Sequence, residues 1–213
     1  MNSPMPMGIS RRNGLLRMVG AGSLLCLPKW LWAGAQVEEP LADSVRTALS
    51  SAIANHAPPV PEFANIDARI AYLRWLTDAN DRLKRYKDDL NTRTEFLQTI
   101  WYEARRAGLD VNLVLGLVQV ESAFRKYAVS IAGARGYMQI MPFWVRVIGD
   151  GDVSKLFHMQ TNLRFGCVIL RHYLDRENGN LFMALGRYNG SRGRAEYPDA
   201  VLAAAQRWGY TGS

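Results

Sequence analysis

Val111-Asn112-Leu113-Val114-Leu115-Gly116-Leu117-Val118-Gln119-Val120-Glu121 reads as a buried helix with an acid at its end. Val114, Leu117, Val118 and Glu121 fall at i, i+3, i+4 and i+7, so they share one face. Three of the four are aliphatic. The carboxylate therefore points where a core belongs. It also lies near the helix C-terminus, where the backbone dipole disfavours negative charge. Both effects favour the protonated form and raise the pKa. A carboxyl that keeps its proton near neutral pH suits general acid work. The plain structural alternative is an exposed glutamate on a helix that ends earlier.

Outward from this helix, almost everything after Gln36 reads helical. Asp110 is placed to cap the helix that follows it, and Gly108 ends the one before. That earlier helix spans about Thr92–Ala107. Upstream, Leu41–Asn55 is a short amphipathic stretch, closed by a stiff linker at His56-Ala57-Pro58-Pro59-Val60-Pro61. From Asn65, the residues Ile66, Ile70, Leu73, Leu76, Leu83 and Leu90 recur at steps of three, four or seven, the stripe of a core-facing helix. The charges Arg82, Lys84, Arg85, Lys87, Asp88 and Asp89 fit a solvated face or a docking surface. Downstream, helices are expected at Tyr137–Ile148, Thr161–Arg176, Leu181–Tyr188 and Pro198–Trp208. Alternation long enough for strands is missing, so the expected fold class is mainly α.

The chain has 213 residues, a length that suits one domain plus a small extension. Six Trp, nine Tyr and seven Phe supply a core and argue against disorder. Two cysteines, Cys26 and Cys167, exclude a disulfide scaffold, and three scattered His leave no zinc pattern. Cys167 lies in the apolar run Phe165-Gly166-Cys167-Val168-Ile169 and reads as an inert buried thiol.

Residues 1–35 read as an export signal. Arg11 and Arg12 precede an apolar stretch from Leu15 to Leu27, and Ala33-Gly34-Ala35 offers a cleavage site before Gln36. An uncleaved membrane anchor is the alternative. Ser10-Arg11-Arg12-Asn13-Gly14-Leu15-Leu16 resembles a twin-arginine signal, departing from it at Gly14. Four bases and no acid lie in this segment, so the remainder carries 22 bases against 19 acids, a net charge of +3. That is a weak argument for a polyanionic partner, and with no recognisable motif it argues against nucleic acid.

From Ser122 to Gly149 there is no Asp or Glu, while Arg125, Lys126, Arg135 and Arg146 are present. Most glycosidases place two carboxylates about 5 to 9.5 Å apart. Here a second one would have to come from farther away, for example Asp150 or Asp152. A single-acid mechanism is the simpler reading. Gly133-Ala134-Arg135-Gly136 supplies a turn that allows close backbone approach.

Glu121-Ser122-Ala123-Phe124, Ala128-Val129-Ser130 and Gly133-Ala134-Arg135-Gly136-Tyr137-Met138-Gln139-Ile140-Met141-Pro142 together resemble the catalytic segment of the soluble lytic transglycosylase (SLT) family, in the lysozyme-like superfamily. Asn162-Leu163-Arg164-Phe165-Gly166 and Tyr173-Leu174 resemble its next helix. Ala184-Leu185-Gly186-Arg187-Tyr188-Asn189-Gly190 resembles its tyrosine-asparagine motif, and Tyr197 and Val201 fit the close of the domain. The likeness covers about Thr92 to Trp208.

The resemblance implies a lysozyme-like helical domain over 92–213, preceded by a helical extension over 36–91. It implies non-hydrolytic cleavage of peptidoglycan between N-acetylmuramic acid and N-acetylglucosamine, giving 1,6-anhydromuramyl ends. Glu121 becomes the sole catalytic acid/base. Ser130, Gln139 and Met141 line the sugar groove, Tyr188 directs its hydroxyl toward Glu121, and Asn189 shapes that turn. A cap for Ser130, core packing for Met141 and buried hydrogen bonding for Gln139 and Tyr188 are the structural alternatives. No metal or organic cofactor is implied. Peptidoglycan strands are the implied partner, and an exported, periplasmic monomer is expected. The chain departs from the family pattern at Tyr137, at Phe143-Trp144 and in Asn189-Gly190-Ser191, which lacks the alanine common after the Asn. The aromatic pair fits either a sugar subsite or a local core. A hydrolytic goose-type lysozyme is the alternative enzyme. A wall-binding scaffold of a secretion or conjugation apparatus is the alternative of another class.

Overall fold

The computed structural model describes residues 36–54, 60–209 and 211–212. The expected export signal and most of the proline linker lie outside the described residues. Eight helices are found there: α1 (Asp43–Ala54), α2 (Ile66–Leu83), α3 (Leu90–Arg106), α4 (Val111–Ser122), α5 (Pro142–Ile148), α6 (Met159–Arg176), α7 (Leu181–Asn189) and α8 (Glu196–Arg207). A 3₁₀ turn at Val153–Phe157 joins α5 to α6. Among the described residues the extended pairing is limited to isolated antiparallel bridges, Val129 with Arg135 and Arg135 with Ile140. The mainly helical expectation holds.

Capping chemistry sets most boundaries. Asn65, Asp89, Asp110 and Asn180 each accept a backbone N–H three residues on, satisfying donors that a helix start leaves unpaired. Pro142 begins α5, where its missing N–H costs nothing.

Helices α4 and α8 make the most extensive pairing. Gly116 is the reason: a Cβ there would sit 2.4 Å from the Ala205 backbone nitrogen. Helix α6 runs through the centre and packs on α1, α3 and α7. A buried ion pair links α3 to α6, with Arg164 Nη2 donating to Glu103 Oε1 at 2.9 Å. Arg164 also reaches the Ile53 carbonyl, and Arg106 the Ala52 carbonyl, so the last turn of α1 is held by cations from below. Leu49, Ile53, Ala79 and Leu83 join the same core as α3 to α8.

Three expectations need correction. The α2 stripe is turned outward at Ile66, Ile70 and Leu73, which are exposed, as is Leu90 in the first turn of α3. Leu76 and Leu83 of the expected stripe do face the core, together with Tyr72, Trp75 and Ala79. Both stripes have helical spacing, and the inner one carries the aromatic rings. Tyr72 and Trp75 pack with Trp101 of α3 at centroid distances of 4.9 and 4.7 Å, a larger burial than three aliphatics offer. Helix α2 also stops at Leu83, and Lys87 is half-buried and donates to Tyr137 Oη at 3.0 Å. Finally, the helix expected from Tyr137 begins only at Pro142, because the preceding residues form a turn closed by the mutual Arg135–Ile140 backbone bonds.

Candidate active site

Glu121 occupies the last turn of α4 and is 2% exposed. Val114, Leu117 and Val118 are buried beside it, so the apolar face read from the sequence is real. Burial pushes its pKa up to about 8, against the opposing effect of a hydrogen bond from Tyr197. Burial disfavours the carboxylate, and a donor to it favours the carboxylate. No neighbouring carboxylate contributes to the shift. Oε1 accepts from the Tyr197 hydroxyl, and Oε2 is buried with no protein partner.

The chain turns sharply after Glu121. Ala123 and Phe124 both adopt left-handed backbone, with φ of 48° and 61°. Such conformations are costly for side chains with a Cβ and cluster at functional sites. Ser122 Oγ donates to the Tyr137 carbonyl at 2.7 Å, fastening this corner to the turn that follows. Phe124 is clasped by Tyr86, Phe96 and Trp208.

The turn around Gly136 is organised by Asn162 of α6. Its Oδ1 accepts from Met138 N at 2.8 Å, and its Nδ2 donates to the Arg135 and Leu156 carbonyls at 2.9 and 2.8 Å. Gly136 has φ of +76°, and a Cβ on it would meet Asn162 at 2.3 Å, so no other residue fits. Gln139 is buried with φ of 49°; its Nε2 donates to the Ala128 and Gly136 carbonyls at 3.1 and 2.9 Å. Ser130 closes the adjoining loop: its Oγ accepts from Ala134 N at 3.1 Å. Met141 is half-buried against the core. Tyr127, Val129 and Ile131 on this segment are exposed.

The expected direction of the Tyr188 hydroxyl is corrected. It is fully buried and donates to the Met138 carbonyl at 2.8 Å, while Tyr197 of α8 is the tyrosine bonded to Glu121. Tyr188 still lies close enough for the Glu121 charge to raise its own pKa, behind burial as the larger cause. Asn189 is buried and donates to Ser191 Oγ at 3.1 Å, with its Oδ1 unpartnered. Sequence reading missed the roles of Tyr197 and Asn162. Asn162 had a signal, a polar residue on the apolar face of α6; Tyr197 had none beyond its place in a closing motif.

Phe143 and Trp144 are both buried, so the aromatic pair belongs to the core rather than to an open subsite. Asp150 and Asp152 are exposed and occupied in their own turn: Asp150 pairs with Lys155, and Asp152 caps Ser154. Asp150 also lines a cavity of about 280 Å³ beside α1 with Ser50, Ile53 and Arg164. Cys167 is a buried free thiol whose pKa burial drives up. Among the described residues, no group of three His, Cys, Asp or Glu is placed to hold a metal, and no helix is long and apolar enough to cross a membrane.

Residues 98–200 match the family model of the Transglycosylase SLT domain. A transglycosylase of Enterobacteria phage PRD1 is 33% identical over 103 residues, 48% of this chain and 37% of the phage protein. The membrane-bound lytic murein transglycosylase C of Haemophilus ducreyi is 32% identical over 127 residues, covering 52% of this chain and 35% of that protein. Its counterpart from Actinobacillus pleuropneumoniae is 46% identical over 84 residues, covering 36% and 23%. The chain thus spans about a third or less of these relatives. An inactive mutant of lytic transglycosylase Slt from Pseudomonas aeruginosa aligns with a TM-score of 0.49 and 26% identity, over 66% of this chain and 29% of that one. Residues 98–200, which carry Glu121 and Tyr197, are thus similar to the Transglycosylase SLT domain.

Proposed function

We propose that this protein is a peptidoglycan lytic transglycosylase that cleaves the β-1,4 bond between N-acetylmuramic acid and N-acetylglucosamine without water. One observation carries the reading: Glu121 is buried, that burial pushes its pKa up to about 8, and no second carboxylate is among the causes of the shift. A lone acid of this kind can give its proton to the leaving glycosidic oxygen and then, as a carboxylate, take the proton of the muramyl 6-hydroxyl. That hydroxyl closes on the anomeric carbon, so the product ends in a 1,6-anhydro ring and no water is consumed. The muramyl acetamide stabilises the anomeric centre between the two steps.

Tyr197 orients the carboxyl through Oε1, which leaves Oε2 to exchange the proton. Ser130, Gln139 and Met141 line the groove around it. Tyr188 and Asn189 hold its wall, Tyr188 through the Met138 carbonyl. The exposed Tyr127 offers an aromatic face to a sugar ring. Residues 1–35 serve as the export signal, 36–91 as a helical extension and 92–213 as the catalytic domain. The protein acts on glycan strands in the bacterial envelope, in the periplasm, as a monomer.

Mass spectrometry of purified sacculi digested with the protein tests this. Products ending in 1,6-anhydromuramyl residues, one water lighter than hydrolysis products, are expected. Reducing-end muramyl products would make it a lysozyme, and an inert protein would leave the scaffold of a secretion or conjugation apparatus.

A further inference from the structure

The Gln36 side chain is buried. Its Oε1 accepts from Trp144 Nε1 at 2.8 Å. An indole N–H can only donate, so this bond fixes which end of the amide faces Trp144. Nε2 therefore points away, and it is buried without a partner. Trp144 itself sits edge-on to His172 and Tyr173, so the surroundings are largely aromatic. An unpaired amide nitrogen in such a place is unfavourable, and natural structures rarely keep one without a reason. Three residues on, Glu39 is bound by Arg176 of α6 and Arg187 of α7. The segment from 36 to 39 is thereby fastened to α5 at one end and to α6 and α7 at the other.

We propose that Gln36 becomes the amino terminus of the exported protein and cyclises there to pyroglutamate. This rests on the proposed cleavage after Ala35. The newly released α-amine attacks Cδ of its own side chain. The N–Cδ bond forms, the Cδ–Nε2 bond breaks, and Nε2 leaves with the amine proton as ammonia. No co-reactant is needed. The reaction expels the unpaired nitrogen and keeps the oxygen that Trp144 binds, now as the lactam carbonyl. It also converts a charged ammonium into a neutral amide, which costs less to remove from water.

The test is intact mass and Edman sequencing of protein exported by bacteria that express the full chain. The expected mass is that of residues 36–213 less one ammonia, with the terminus blocked to Edman degradation. A Gln36→Glu chain, which keeps the shape but lacks the amide leaving group, should emerge at full mass with an open amine. A wild-type chain that begins at Gln36 with a free amine overturns the proposal while leaving export intact. A mature start elsewhere overturns both. Muropeptide products measured on the same preparation report glycan cleavage separately, so loss of that reading is not confused with loss of this one.

Discussion

Tyr197 on α8 donates its hydroxyl to Oε1 of Glu121 on α4, across 76 residues of sequence. The bond favours the carboxylate and burial favours the acid; burial wins, and the pKa settles at about 8. The two helices are held at the distance this bond needs by Gly116 against Ala205, and by Trp208 Nε1 donating to Gln119 Oε1 at 2.8 Å.

Tyr197→Phe removes the one influence that lowers the Glu121 pKa. The alkaline limb of the pH–rate profile should move upward from about 8, and turnover should fall because the carboxyl loses its orientation. A profile measured on solubilised glycan decides this. An unmoved limb would mean that Tyr197 does not tune Glu121.

Glu121→Gln keeps the shape and cannot exchange a proton. Activity should fall by at least roughly 10²–10⁴. The stability effect depends on pH. A buried acid whose pKa rises from 4.5 to about 8 binds its proton more tightly in the folded state. The Glu121 contribution to stability is then fully present below pH 4.5 and is lost between there and about 8. The full span corresponds to something on the order of 3–5 kcal/mol. Glutamine does not titrate, so the variant should overtake the wild type as pH rises. Denaturant melts at pH 5 and pH 9 check this; parallel curves at both would contradict a buried Glu121.

Tyr188→Phe leaves the buried Met138 carbonyl without its donor, a loss of about 1–3 kcal/mol at the turn that carries Gln139. Stability and turnover should fall together. Reduced turnover at unchanged stability would restore Tyr188 to a direct role beside Glu121.

Gly116→Ala drives a methyl into the α8 backbone, since the nearest atom is 2.4 Å away and cannot rotate aside. Overpacking of this kind costs about 1–3 kcal/mol or more. Because α8 carries Tyr197, activity should drop at temperatures where the variant is still folded. Full activity with normal melting would show that the two helices can separate without harm.

Glu103→Gln strands the Arg164 guanidinium, which is 3% exposed, inside the core. Breaking a buried pair by removing one partner costs about 3–5 kcal/mol. A Glu103→Leu, Arg164→Met double variant should recover much of that, as seen by chemical denaturation.

Local chemistry made much of this protein readable. The buried glutamate on α4 follows from a spacing of three and four in an apolar run, and the caps Asn65, Asp89, Asp110 and Asn180 act on atoms three residues away. The acid-free stretch after Ser122 is likewise a property of the chain alone. Other features depend on partners far off in sequence. Helix α2 has two stripes of helical spacing, and the choice between them was made by Trp101 of α3. Trp144 faces Gln36 rather than an open groove because the N-terminal segment returns across α5. Which tyrosine meets Glu121 is settled by the close approach of α8 at Gly116, leaving Tyr188 to the Met138 carbonyl. Periodicity determines which residues share a face, but a hydroxyl's partner is determined by how helices pack, and packing is a property of the assembled core.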